Sequence, residues 1–250
     1  DVLVGSLPLY AAERNKTPFS THAFITDFYN QSAFRVVGGS DKIAASLVAS
    51  IERNGGRVLT RKKVVRIDCD DVKAVGVETS DEQYYPADIV IAGIHPARLI
   101  ELCQSPLLRP AYRRRVQSLL ETVGGFSVYL RFKPQTVPYM NYNFYGYHQS
   151  SPWDCERYTA AEWPKGYLYM HFCNKDHQQW AEGGVILSYM QWDEVAKWQN
   201  TSIGRRGEDY EQMKRERAER LIDAVSQEFP MLRQGIDGYW SSSPLTYRDY

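Results

Sequence analysis

Gly38 to Pro96 reads GGSDKIAASLVASIERNGGRVLTRKKVVRIDCDDVKAVGVETSDEQYYPADIVIAGIHP. Ile43, Leu47 and Ile51 recur at i, i+4 and i+8, with Ala44 and Val48 beside them, so the spacing predicts an amphipathic helix. Ser40 or Asp41 can cap its start. Asn54-Gly55-Gly56 ends it, because Asn and Gly tolerate the left-handed conformation of a C-terminal cap. Short strands are predicted at Val58-Leu59, over Val64, Val65 and Ile67, and at Ala74–Val77, with Asp70-Asp71 as a turn. Ile89-Val90-Ile91-Ala92 is apolar throughout, which predicts a strand buried on both faces. Gly93 allows a close approach of the backbone to another group, and His95-Pro96 opens a new element.

Working outward, Leu107–Glu121 is predicted helical, and Gly125–Phe132 alternates as a strand. Pro138–His148 is a Tyr-rich strand or loop. Gly166–Cys173 and Val185–Met190 are two further strands, read as a pair. Asp193–Trp198 is predicted as a short helix capped by Asp193, with Trp192 and Trp198 packing around its start. Gly207–Phe229 carries the clearest helical stripe, through Tyr210, Met213, Leu221, Ile222, Val225 and Phe229, with Pro230 just beyond its end. Residues 1–37 are turn-rich, with a strand or short helix at Ala23–Phe28.

A chain of 250 residues has room for one large or two small domains and a sizeable core. The formal net charge is zero, with acids and bases interspersed, so nothing points to nucleic acid as a partner. Four Cys, at 69, 103, 155 and 173, show no close spacing and read as a reduced, intracellular pattern. No apolar run reaches the roughly 18 residues of a membrane span. The Arg113-Arg114-Arg115 run is read as a solvated helix face, with peripheral contact to a membrane as the functional alternative. The expected location is cytoplasmic or membrane-associated. No nucleophile elbow and no Walker loop is present.

The order of elements from Gly38 to Pro96 resembles the adenine-side half of FAD oxidoreductases of the phytoene-desaturase and amine-oxidase type. The likeness rests on the Gly38-Gly39-Ser40 helix start followed by Gly55-Gly56 and the Val64-x-x-Ile67 strand. It rests also on Ala87-Asp88-Ile89-Val90-Ile91-Ala92 leading to His95-Pro96. The tail Pro244–Tyr250 and the aromatic middle are similar to the phytoene-desaturase-related branch that includes all-trans-retinol 13,14-reductase. The resemblance implies an α+β or α/β fold, part of a two-domain flavin oxidoreductase. A substrate domain (1–37 and 99–245) with a mixed or antiparallel sheet would be inserted in the FAD-binding domain, of which 38–98 is an incomplete middle part. Residues 246–250 would begin the return to the FAD domain.

It further implies FAD as cofactor of the full-length protein, with Val64, Val65, Ala92 and Gly93 beside it. The G-x-G-x-x-G turn that places pyrophosphate on a helix N-terminus is missing. The sequence is therefore expected to be an interior piece of a longer enzyme that does not hold FAD by itself. The implied activity is saturation, desaturation or isomerisation of carbon–carbon double bonds in an apolar isoprenoid or retinoid-like molecule. An amine-oxidase-like flavoenzyme and a non-catalytic binding domain of the same fold are the alternatives.

Few side chains need react where a flavin carries the electrons. His95 is the one candidate proton donor, with helix capping as its structural alternative. Tyr139, Tyr142, Tyr145 and Tyr147 are candidate walls of an apolar substrate pocket, although alternation of this kind also marks any half-exposed strand. His171-x-Cys173-x-x-x-His177 has metal-ligand residue types but reads as half-buried structure, so no metal is expected.

Overall fold

The computed structural model describes residues 5, 12–32, 34, 36–119, 122–148, 151–173 and 179–249. Two helices precede the first sheet. α1 (Phe19–Gln31) is longer than the expected element at 23–28, and Phe19, Phe24 and Phe28 on it are exposed. α2 (Asp41–Arg53) is the helix written by Ile43, Leu47 and Ile51. Gly55 ends it at φ +81°, where Gly55 N–H bonds Glu52 O at 3.0 Å and Gly56 N–H bonds Ile51 O at 2.9 Å. The apolar stripe of α2 is nonetheless exposed: no residue of the helix is buried.

β1 (Val64–Cys69), β2 (Ala74–Thr79) and β3 (Tyr84–Pro86) form a three-stranded antiparallel meander in the order β1-β2-β3. Asp70 turns β1 into β2 by accepting the backbone N–H groups of Val72 and Lys73, both at 2.7 Å. Two strand expectations fail here. Val58-Leu59 and Ile89–Ala92 have no ladder partner among the described residues, and Ile89 and Ile91 are 79% and 92% exposed. Ala87 N–H still bonds Val75 O at 3.0 Å, and the ladder stops there. An apolar run gives a strand its propensity, but a strand exists only where a second backbone pairs with it.

α3 (Pro96–Leu102) and α4 (Pro110–Gln117) follow, the latter shorter than the predicted 107–121 span. Arg113 corrects the solvated reading of its run. Its guanidinium donates to the carbonyls of Ile100, Cys103, Ser105 and Leu108 at 2.8–3.1 Å and ties α4 to the end of α3. Ile67, Leu102 and Cys103 form a small core with Val64, Val77, Leu99 and Leu108 around it. Residues 43–121 accordingly make one compact unit, which runs past the expected boundary at 98 because Leu102 and Cys103 pack on β1.

Residues 1–42 and 122–250 make the other unit. β4 (Gly124–Phe132), β5 (Phe144–Tyr147), β6 (Gly166–Phe172), β7 (Gly183–Met190) and β8 (Ile236–Ser242) form an antiparallel sheet in the order β5-β6-β7-β4-β8. The sheet is separate from the meander. α5 (Glu208–Glu228) buries Tyr210, Ala218, Leu221, Ile222 and Val225, and these share one core with Phe126, Val128, Leu130 and Phe132 of β4. Its acidic first turn, Glu208, Asp209 and Glu211, suits the positive end of the helix dipole. The predicted helix at 193–198 is two 3₁₀ turns, Trp192–Glu194 and Ala196–Trp198, and Asp193 caps neither; Trp198 is buried and Trp192 is half exposed. α6 (Leu232–Gly235) and α7 (Pro244–Asp249) complete this unit. The fold class is α+β.

Candidate functional site

A cavity of about 620 Å³ opens within the unit of residues 43–121, in the range typical of ligand sites. Val64, Ile67 and Val77 of the meander, Val90 and Leu102 give it apolar walls. Val64 and Ile67 are three apart and would face opposite sides of a regular strand. A register shift between Val64 and Arg66 re-phases β1, so that both line the cavity. Ile89 to Ile94 form the remaining rim, with backbone groups that lack ladder partners among the described residues.

Lys62, Lys63, Tyr85 and Arg98 supply the polar lining. The Lys62 ammonium is engaged by Asp81 and, at 3.0 Å, by Gln83 Oε1, and the hydrogen bond to Asp81 holds its pKa above the ordinary lysine value. No carboxylate, imidazole or thiol lines the cavity among the described residues. Such a lining suits binding and orienting a ligand, with Lys63 and Tyr85 as the groups on it that could exchange a proton.

The structure brings Val64, Ala92 and Gly93 together here, while Val65 lies outside the lining. His95 is also outside it. Its Nδ1 accepts Ala97 N–H at 3.3 Å as the N-cap of α3, ahead of Pro96 at the first helical position. Gly93 tests whether a planar cofactor fits. A Cβ built there meets no atom within 4 Å, and its φ is outside the left-handed range, so the chain's own packing does not require glycine. A vacant Cβ position, apolar walls and unpaired backbone groups suit the flat, edge-polar adenine end of FAD. The residues here that would hold it are Val64, Ala92 and Gly93.

One feature escaped the sequence. Cys69 and Cys103, 34 residues apart, place their Sγ atoms 3.5 Å apart as free thiols. Burial, followed by the neighbouring Cys69 thiol, pushes the Cys103 thiol above its usual value. Treatment with diamide is expected to join them, giving a crosslinked peptide by mass spectrometry. Cys155 is expected to stay free, since burial pushes its thiol up to about 11. Recovery of Cys69 and Cys103 as free thiols after oxidation would count against the observed proximity.

The four picked tyrosines do not line one pocket. Tyr139 and Tyr142 line a second cavity of about 390 Å³, whose wall includes Tyr169, His171 and Phe229. Phe144 packs edge-on against Phe229 at 5.0 Å, so the pleat of β5 turns Tyr145 and Tyr147 to the opposite face of the sheet. His171 is buried, its Nδ1 accepting Met140 N–H at 3.1 Å and its Nε2 meeting the Tyr169 hydroxyl. This is a structural histidine. His177 of the same motif lies outside the described residues, among which no group of three His, Cys, Asp or Glu could hold a metal ion.

A largely apolar cleft on a small meander, without a carboxylate, imidazole or thiol in its described lining, suits an oxidoreductase whose cofactor carries the chemistry. The chain belongs to the flavin containing amine oxidoreductase family, whose model matches residues 11–237. The family implies FAD. Over 271 residues it is 27% identical to the all-trans-retinol 13,14-reductase of Macaca fascicularis, covering all of this chain and 44% of that protein. It is 43% identical to the lycopene-forming phytoene desaturase of Paracoccus sp. over 53 residues, 21% of this chain and 11% of that one. A solved oxidoreductase from Methanosarcina mazei aligns with a TM-score of 0.49 at 16% identity, over 84% of this chain and 43% of its own. The chain thus spans less than half the length of these relatives.

Proposed function

We propose that the complete protein is an FAD-dependent oxidoreductase acting on carbon–carbon double bonds of an apolar, isoprenoid- or retinoid-like substrate. Within it, the 620 Å³ cavity holds the adenine end of the cofactor. The observation that carries this is Gly93, a glycine beside an apolar cavity that the fold itself does not need. Bound flavin would supply the two-electron chemistry. Val64 and Ala92 would press on the adenine faces, and the unpaired backbone of 89–94 would meet its edge. Support for the apolar substrate comes from the relatives' names and from the sheet face bearing Tyr145, Tyr147, Tyr129, Phe172 and Trp240. The last three of these are 40%, 44% and 57% exposed.

No helix among the described residues is long and apolar enough to cross a membrane. Peripheral contact is part of the proposal: Phe19, Phe24 and Phe28 of α1 expose the aromatic surface that lipid would cover. The test is the complete protein, purified with its flavin, reduced chemically and given all-trans-retinol. A product heavier by two hydrogens is expected. A parallel arm offers a primary amine and oxygen. Peroxide from the amine arm with no change in retinol would replace the double-bond reading with amine oxidation, and a protein without flavin would sink both.

A further inference from the structure

The second cavity contains a hydrogen-bond donor with no acceptor among the described residues. Met140 N–H points at His171 Nδ1 from 3.1 Å, so Nδ1 is an acceptor and carries no proton. The neutral ring therefore holds its proton on Nε2, which donates to Tyr169 Oη at 2.5 Å. The Tyr169 hydroxyl oxygen is thereby an acceptor, and its own hydrogen must be directed elsewhere. Among the described residues it finds no acceptor, although Tyr169 is 0% exposed and lines the cavity. Burial pushes the Tyr169 pKa upward, so the group remains a donor at any ordinary pH. A chain of bonds from Met140 N–H through the imidazole to the hydroxyl polarises that last donor.

The rest of the cavity defines what would accept it. Tyr139, Phe229 and Met231 give flat and deformable apolar walls. Among the described residues no Lys or Arg lines the cavity and Glu228 does, so their lining gives an anion a carboxylate and no counter-charge. Asn141 and Tyr142 are exposed at the mouth, while Tyr169 and His171 are buried at the floor. We propose that this cavity binds a neutral, ring-bearing carbonyl compound, its oxygen accepting from Tyr169 Oη–H at the floor and its ring lying between Tyr139 and Phe229. The described lining lies within residues 137–232 and shares no residue with the cavity proposed for the cofactor.

The probe is acetophenone, with ethylbenzene as the analogue lacking the oxygen. The full chain is labelled at its methionine methyl groups; Met140 and Met231 line the cavity, and Met190, buried in the sheet core, serves as reference. Acetophenone is expected to shift Met140 and Met231 saturably and to leave Met190 in place. Ethylbenzene should bind about tenfold more weakly, the usual effect of leaving one buried donor unpaired. Tyr169→Phe should equalise the two ligands. Met231→Trp, at a position 57% exposed and hence tolerant, should block both. Equal affinity for the two probes in the wild type overturns the proposal. So does preference that survives Tyr169→Phe, binding that survives Met231→Trp, or the absence of any saturable shift.

Discussion

Trp163→Ala is expected to destabilise the unit that contains it by about 4 kcal/mol, near the top of the range for emptied aromatic sites. Trp163 is 1% exposed and packs edge-to-face on Phe126 at 6.0 Å. Its Nε1–H donates to Tyr189 O at 2.6 Å, and the Arg217 guanidinium lies 4.6 Å from the ring centroid. Truncation opens a cavity that β4 and β7 cannot collapse into. It takes the indole N–H from the part-buried Tyr189 carbonyl and the aromatic face from Arg217, whose partner Glu194 is in turn held by Tyr158. Trp163→Phe keeps most of the packing and loses the N–H, so it should cost roughly 1–2 kcal/mol. All six tryptophans lie beyond residue 122, so indole fluorescence in urea reports this unit alone. A midpoint unchanged by Trp163→Ala would mean that Trp163 is not packed as observed.

What was legible in the sequence and what was not follow from how far each feature reaches along the chain. α5 was readable end to end, since its buried stripe repeats every three or four residues and Pro230 marks its close. The alternation of β4, β6 and β7 likewise lies within each strand. Ile89–Ala92 has the composition of a buried strand, but pairing belongs to another segment, and none of the described residues supplies it. Val64 and Ile67 read as landmarks of one strand, yet their common face depends on a register shift that no residue type announces. Tyr139 and Tyr145 look equivalent in a Tyr-rich run, and only the contact of Phe144 with Phe229 reveals that the sheet separates them. The Cys69–Cys103 contact and the Met140–His171–Tyr169 chain join residues 34 and 31 positions apart, beyond the reach of any local pattern.

Gly93→Leu in the complete protein should separate folding from cofactor binding. The side chain enters open space, since a Cβ at Gly93 meets nothing within 4 Å and the backbone is not in the left-handed region. Stability should therefore change by no more than about 0.5 kcal/mol. Gly93 lines the cavity together with Val64 and Ala92, so under the proposed function a leucine there would compete for the volume assigned to the adenine end of FAD. Flavin occupancy, read as the flavin-to-protein absorbance ratio, should fall at least tenfold, which from a filled site means a loss of more than about 1.4 kcal/mol of binding. Val65→Leu is the matched control. Val65 is 42% exposed and absent from the lining, so an added methylene there should leave flavin content unchanged. Turnover should follow flavin content in each variant, because the proposed function gives this cavity the cofactor to hold and leaves the electron transfer to the flavin. Equal flavin occupancy in Gly93→Leu and the wild type, with equal turnover, would remove this cavity from the cofactor path and with it the assignment of Val64, Ala92 and Gly93.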